Sequence, residues 1–129
     1  MTWTYVQRTG VILDKDNKIV ARGYAGGNGG KVPNAINNPD MQDVKNTGPL
    51  PCGLYYIEPP ILQSQLGPYA LPLEPHALNE MFGRGDFYIH GDKIGAPGCA
   101  SDGCVIFPRN IRELIWGSGD HTLSVIRGD

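Results

Sequence analysis

Glycine and proline recur along the whole chain and limit the secondary structure that it can form. The 129 residues include 18 glycines and 11 prolines, nearly double the ~12% that these two residues make up in ordinary proteins. Because both residues interrupt helices, the composition favours short strands joined by many turns over a helical bundle. The length predicts a single domain over residues 1–129.

Charge and hydropathy argue against several classes of partner. The net charge is −2 and the basic residues form no run, so nothing indicates binding to nucleic acid or to an anionic membrane surface. No apolar stretch approaches the ~20 residues that a membrane-spanning helix needs. The N-terminal segment MTWTYVQRTG has neither the basic nor the apolar region of a secretory signal peptide. We therefore expect no nucleic acid, no membrane span and no Sec signal.

Short apolar or alternating runs predict most of the strands. These runs are residues 3–7, 11–13, 19–21, 54–57, 87–89, 105–107 and 122–126. The second and third runs flank a polar turn and predict a hairpin. The fold expected from the residues is therefore mainly β.

The segments between these runs have weaker signals. Residues 23–46 are rich in glycine and asparagine and fit either a flexible linker or a binding loop. The proline-studded segment 59–75 is expected to run over the surface as a connection. Residues 76–82 predict a short helix that ends at Gly83. A second helix is predicted after Pro108, with its apolar stripe formed by Ile111, Leu114 and Ile115.

A histidine and a cysteine at the ends of two predicted strands form the candidate reactive site. His90 follows the run 87–89, and Cys104 precedes the run 105–107 after a loop rich in glycine and proline. A neighbouring imidazole can take the proton of a thiol, which gives a thiolate–imidazolium pair and makes the sulfur a nucleophile. We therefore predict that Cys104 is a nucleophile and that His90 is its base.

Other residues near this pair are candidates for supporting roles. Gly103 lets the backbone turn tightly, so the amides near Gly103 and Cys104 are candidate donors to an oxyanion. Ser101 is expected to hydrogen-bond either the loop or a substrate. Asp92 is a candidate for orienting the His90 ring, a task that a backbone carbonyl would perform equally well.

Three other interpretations of the cysteines and the histidine stay open on the residues alone. A cysteine before an apolar run is commonly a small buried hydrophobe, and a lone histidine at a strand end is commonly structural. A zinc site built from Cys52, Cys99, Cys104 and His90 is a second interpretation, although four residues separate Cys99 from Cys104 where two are usual. A third is a Cys52–Cys99 disulfide that leaves Cys104 free.

The order of the motifs resembles that of the L,D-transpeptidases. His90, followed by Ser101-x-Gly103-Cys104-Val105, is similar to their signature, a histidine and then Ser/Thr-His-Gly-Cys. The segment GPLPCGLYYI at residues 48–57 resembles their Pro-x-Gly-x-Tyr/Phe-x-Ile segment. The predicted helix and strand after the cysteine also match this family.

Further motifs narrow the resemblance to one group within that family. Gly23-Tyr24-Ala25-Gly26, the Asn37-Asn38-Pro39 loop and His90-Gly91-Asp92, together with the motifs above, resemble the small L,D-transpeptidase-like effectors of type VI secretion. These toxins attack the peptidoglycan of rival bacteria. The similarity covers nearly the whole chain.

The resemblance implies a fold and a reaction. The fold would be a single compact β-sandwich-like domain, mainly β, with one or two short helices, and it would need no cofactor and no metal. Cys104 would attack the carbonyl of the third residue of a peptidoglycan stem tetrapeptide and expel the terminal D-alanine. Water would complete an L,D-carboxypeptidase reaction, whereas a free D-amino acid or a second stem would complete an L,D-transpeptidase reaction.

The resemblance also implies partners and a place of action. The protein would leave the producing cell through the secretion machinery, without a Sec signal, and would act in the periplasm of a target bacterium. A cognate immunity protein would protect the producer. The alternatives that remain are a non-catalytic peptidoglycan-binding module and a zinc-stabilised structural domain.

Substrate-binding candidates and two departures from the family pattern complete the expectations. The candidates are Tyr24, Asp92, Asp102 and Arg109. Arg112 is a further nearby candidate for binding a substrate carboxylate. Asp102 stands where the broader family usually has histidine, and Ile106 stands where it has arginine. A carboxylate this close to the nucleophile disfavours the thiolate.

Overall fold

A computed structural model describes residues 1–129, and its nine strands belong to one sheet. The strands are β1 (Trp3–Val6), β2 (Val11–Leu13), β3 (Ile19–Arg22), β4 (Tyr24–Ala25), β5 (Gly53–Ile57), β6 (Leu71–Pro75), β7 (Phe87–His90), β8 (Val105–Ile106) and β9 (Thr122–Ile126). One α-helix, α1 (Arg109–Gly117), and two 3-10 turns, Pro33–Ala35 and Pro39–Met41, complete the secondary structure. The predicted mainly β fold is confirmed, and α1 is too short to cross a membrane.

The strand order is β3-β2-β1-β9-β5-β6-β7-β8-β4, and it nearly closes on itself. The two edge strands, β3 and β4, are separated in the chain by Gly23 alone, so the backbone joins one edge of the sheet to the other. There the amide of Gly23 donates to the carbonyl of Gly10 at 2.7 Å. A Cβ on Gly10 would lie 2.0 Å from the oxygen of Gly23, so this close approach requires glycine.

The core lies on the inner face of the sheet. It is a cluster of 16 buried residues that includes Trp3 and Tyr5 of β1 and Leu123 and Val125 of β9, in the alternating pattern of strands with one buried face. Phe107 packs edge-on against Tyr5, with ring centroids 6.2 Å apart. The amide of Phe107 donates to the carbonyl of His90 at 3.1 Å, so this packing lies next to the candidate site.

Two predictions of secondary structure are wrong. The surface connection predicted over residues 59–75 ends in β6, a strand between β5 and β7, because Leu71 and Leu73 alternate into the core. The helix predicted over residues 76–82 does not form. Instead the side chain of Asn79 accepts from the amide of Leu54 and donates to its carbonyl, at 3.0 and 2.8 Å, which fixes this segment against the backbone of β5.

The remaining predictions of elements are largely confirmed. The hairpin is present as β2 and β3, which pair antiparallel. Residues 23–46 contain β4 and both 3-10 turns and so belong to the fold rather than to a linker. The helix after Pro108 is α1, but Leu114 is half exposed and the buried residues of α1 are Arg112 and Ile115. The guanidinium of Arg112 can be buried because its Nη1 donates to the carbonyls of Pro68 and Tyr69 at 2.8 and 2.9 Å.

Candidate active site

Two parallel strands bring the predicted nucleophile and base to one cleft. Strands β7 and β8 pair with Ile89 opposite Val105 and with His90 opposite Ile106. Cys104, one residue before β8, is therefore a diagonal neighbour of His90 on the same face of the pair. Both side chains line a cleft of about 640 Å³. This is the juxtaposition that the sequence predicted from the two strand ends.

The cleft combines charges of both signs with apolar surface. Its charged residues are Lys45, Arg84, Asp86 and Asp102. Its other side chains include Asn46, Ile61, Ser64, Gln65, Leu66, Phe87 and Tyr88. Among the predicted substrate-binding residues, Asp102 lines the cleft, whereas Tyr24, Asp92 and Arg109 lie outside its lining.

His90 is held in the form that a general base needs. Its Nδ1 lies 2.9 Å from the carbonyl oxygen of Gly91, so we assign the proton to Nδ1 and leave Nε2 as the acceptor. Burial lowers the pKa of His90, and the nearby Arg112 guanidinium adds to this effect, although the bond to Gly91 opposes it. The ring is therefore neutral at neutral pH and can accept a proton at Nε2.

Asp92 and Tyr24 shape the loop between His90 and Cys104. The carboxylate of Asp92 accepts from the Tyr24 hydroxyl at 2.6 Å and from the amide of Gly98 at 3.1 Å. The Tyr24 hydroxyl in turn accepts from the amide of Ala100 at 3.0 Å. Asp92 thus fastens the loop to Tyr24, and the carbonyl of Gly91, not Asp92, orients the histidine ring.

Cys104 is a protonated thiol in the resting site. Burial is the main cause that raises its pKa to about 11; the carboxylates of Asp102 and Asp86 act in the same direction, and the amide of Tyr88 and the Arg84 guanidinium oppose them. The expected effect of Asp102 on the thiolate is thus present. Because His90 is also neutral, the resting pair is thiol and imidazole rather than the thiolate–imidazolium pair expected from sequence, and the proton has to move as the sulfur attacks.

Ser101 is the hydrogen-bonding centre of the nucleophile loop. It is fully buried. Its Oγ accepts from the amides of Gly26 and Gly103, at 2.8 and 3.0 Å, and donates to the carbonyl of Cys104 at 2.6 Å. The amide of Gly103 is therefore occupied by Ser101, which leaves the amide of Cys104 as the candidate oxyanion donor of the two.

Replacing Ser101 with alanine is expected to lower the free energy of unfolding by about 2–4 kcal/mol, because it leaves two buried amides and one carbonyl without a partner. Chemical denaturation followed by circular dichroism measures this change. Ser124→Ala in β9 is the matched control, since the Ser124 hydroxyl makes no hydrogen bond within the protein. Equal stabilities of the two variants would show that the Ser101 bonds do not hold the loop.

The ionisation of His90 predicts the pH dependence of any reaction in which it is the base. Histidine acts as a base only when it is neutral. Because the pKa of His90 is lowered, the ring stays neutral at pH values somewhat below the ordinary histidine pKa of about 6.5. The acid limb of kcat/KM is therefore expected below pH ~6.5, and a pH–rate profile measures it. An acid limb above that value would contradict the assignment.

The other interpretations of the cysteines do not match the structure. All three cysteines are free, so there is no Cys52–Cys99 disulfide. No three metal-ligating side chains converge anywhere in the chain, so the zinc set of Cys52, Cys99, Cys104 and His90 does not assemble. Of the two arginines predicted near a substrate carboxylate, Arg112 donates from Nη1 to backbone carbonyls, and the guanidinium of Arg109 lies 5.1 Å from the centroid of the Tyr69 ring.

One residue of the cleft had no signal in the sequence. Arg84 is buried beside Cys104, whereas an arginine between two glycines ordinarily predicts an exposed loop. Its burial depends on contacts with residues 42–49 and 102–104, which are distant in the sequence and come together only in the folded chain.

The comparisons with known proteins identify the family of the chain. Residues 21–125 match the family model described as the Tlde1 domain, so the match contains the whole of the cleft. Searches of curated proteins and of solved structures give no significant match. The chain belongs to the Tlde1 family, a family of type VI secretion effectors.

Proposed function

We propose that this protein is a peptidoglycan-cleaving cysteine enzyme with L,D-carboxypeptidase and L,D-transpeptidase activity. The observation that carries the proposal is the shared cleft of Cys104 and His90, with Nε2 of His90 left free to accept a proton. Its membership of an effector family supports a bacterial cell-wall target. The substrate is the stem tetrapeptide, and the bond cleaved joins its third residue to the terminal D-alanine.

The first half of the reaction forms a thioester. The sulfur of Cys104 attacks the carbonyl carbon of the third residue while Nε2 of His90 takes the thiol proton. The amide of Cys104 stabilises the oxyanion of the tetrahedral intermediate. When the intermediate collapses, the C–N bond breaks and the imidazolium returns the proton to the departing amine of D-alanine.

The acceptor decides the second half of the reaction. Water, activated by His90, hydrolyses the thioester, gives a stem tripeptide with a free carboxylate, and regenerates the thiol. A D-amino acid or the amine of a second stem attacks in the same way and forms a new peptide bond. Both outcomes consume the stem tetrapeptide that ends in D-alanine.

The biological setting follows from the family. The protein acts as an antibacterial effector in the periplasm of a target cell after delivery by the type VI secretion machinery, and a cognate immunity protein blocks it in the producer. Binding of that partner over the cleft would block access of stem peptides to Cys104.

The test is incubation of the purified protein with tetrapeptide muropeptides, followed by mass spectrometry. Wild type is expected to remove D-alanine and Cys104→Ala is expected to remove none. Trimming by the Cys104→Ala variant would overturn the proposal. Tight binding without any mass change would identify the protein as a non-catalytic peptidoglycan-binding module instead.

A further inference from the structure

Arg84 is a buried cation with no carboxylate partner. The residue is 7% exposed, and its guanidinium forms no ion pair. It donates instead to four backbone carbonyls: Nη1 to Gln42 and Pro49, and Nη2 to Gly48 and Asp102, the last three at 2.9, 2.9 and 3.2 Å. The ring of Phe87 lies 5.1 Å below it.

These contacts satisfy the hydrogen bonds of Arg84 but do not neutralise its charge. Carbonyl dipoles and an aromatic face stabilise a cation, yet an unpaired buried charge remains costly. Burial accordingly lowers the pKa of Arg84 from its ordinary value, but not far enough for an arginine to lose its charge. A buried cation without an ion-pair partner can stabilise a negative charge that develops beside it.

The guanidinium also supports the backbone that carries the nucleophile. Its Nη2 bridges the carbonyls of Gly48 and Asp102, and the amide of Leu50 donates to the carbonyl of Gly103 at 3.0 Å. An added Cβ on Gly103 would lie 2.6 Å from Nη2. Arg84 therefore packs directly against the residue before Cys104 and lines the same cleft.

We propose that Arg84 is a positioning residue with an electrostatic role: it fixes the Cys104 loop on residues 48–50, and its charge stabilises the negative charge that develops at Cys104 during acyl transfer. The inference rests on the proposed function for the existence of that reaction. It assigns the positive charge of the site to a residue upstream of β7, whereas the L,D-transpeptidase pattern has an arginine after the cysteine and Ile106 stands there in this chain.

Three charged groups act on Cys104 with different signs, and His90 lines the same cleft. Asp86 and Asp102 raise the pKa of the thiol, Arg84 lowers it, and His90 is neutral at rest. Arg84 is the one permanent cation among them. Removing its charge is therefore expected to raise the pKa of Cys104 above its wild-type value, and to reduce the thiolate fraction at any fixed pH below that value about tenfold per unit of pKa.

The experiment separates the charge of Arg84 from its shape. The variants are Arg84→Met, which keeps the length and removes the charge, and Arg84→Lys, which keeps the charge and loses the planar fork. Arg22→Met, at an exposed position of β3, is the control. Iodoacetamide alkylation is followed from pH 7 to 11 by mass spectrometry of the peptide that contains Cys104, which is read separately from the peptides of Cys52 and Cys99.

We expect Arg84→Met to slow the alkylation of Cys104 by about tenfold or more at a fixed pH below 9. Arg84→Lys is expected to stay within about threefold of wild type while its Tm falls, because a lysine cannot reach four carbonyls at once. Arg22→Met is expected to match wild type. An unchanged alkylation profile in Arg84→Met, or an equal loss in the lysine and methionine variants, would overturn the proposal.

Two further outcomes are misfolding of Arg84→Met and absence of trimming by the wild-type protein. If circular dichroism shows that Arg84→Met does not fold, Arg84→Lys decides alone: a retained profile supports the role of the charge, and a raised pKa refutes it. Alkylation needs no muropeptide. A protein that shows these shifts but trims nothing contradicts the proposed function only, whereas one that trims without the shifts contradicts this inference only.

Discussion

His90→Asn is expected to lower kcat/KM for trimming of the tetrapeptide by about 10²–10⁴-fold, the usual contribution of a general base. The asparagine amide can still donate to the carbonyl of Gly91, as Nδ1 of His90 does, so the loop should keep its shape. The bases that remain in the cleft are the carboxylates of Asp86 and Asp102, and a carboxylate is a much weaker base than imidazole for a thiol whose pKa is about 11. The acid limb of the pH–rate profile should disappear together with the activity.

His121→Asn is the matched control for this change. His121 stacks on Trp116 with ring centroids 3.8 Å apart and lies outside the cleft of Cys104, so its loss should leave kcat/KM within about threefold of wild type. Both variants are compared by muropeptide mass spectrometry after circular dichroism has established that they fold. Activity of His90→Asn within tenfold of wild type would mean that another group is the base.

Gly103→Ala is expected to have the second largest effect, on both stability and activity. Gly103 has a φ of +144°, which side chains rarely adopt, and a Cβ there would lie 2.6 Å from Nη2 of Arg84 and 2.8 Å from the ring of Phe87. Backbone strain of about 1–3 kcal/mol adds to a similar cost for overpacking. We expect the free energy of unfolding to fall by about 2–5 kcal/mol, and trimming to be lost because the Cys104 loop has to shift.

Gly95→Ala is the control, because Gly95 lies in the preceding loop and no heavy atom lies within 4 Å of an added Cβ. Urea denaturation measures the stability of both variants, and the muropeptide assay measures their activity. If Gly103→Ala is as stable and as active as Gly95→Ala, the contacts of Gly103 with Arg84 and Phe87 do not restrict this position, and the prediction is contradicted.

Most of the sheet was predictable because its signals are local. The alternation in β1, β5 and β9 and the polar turn between β2 and β3 identify these strands without any knowledge of their neighbours. Strand β6 was missed because its prolines outweighed the alternation of Leu71 and Leu73 into the core. The helix predicted over residues 76–82 does not form because a tertiary contact prevails over the local signal: the side chain of Asn79 hydrogen-bonds to the backbone of Leu54.

The candidate site was predictable in its chemistry but not in its supporting contacts. His90 and Cys104 could be predicted to share a cleft because a histidine and a cysteine at two strand ends have a recognisable spacing. The sequence could not show that Asp92 bonds to Tyr24 or that Ser101 bonds to the amide of Gly26, because these partners are 68 and 75 residues apart. Arg84 was missed for the same reason, since its four acceptors are backbone carbonyls that carry no signature in the sequence.

The most direct test of the account is to trap the acyl-enzyme. Purified protein is mixed with a tetrapeptide muropeptide, quenched in acid within the first turnovers, and analysed by mass spectrometry of the protein and of its peptides. We predict an added mass equal to the muropeptide less D-alanine, since the thiol hydrogen leaves on the alanine amine, and we predict that this mass is located on Cys104 and absent from Cys104→Ala. Release of D-alanine by a Cys104→Ala variant, or an acyl group located on Cys52 or Cys99 instead of Cys104, would contradict it.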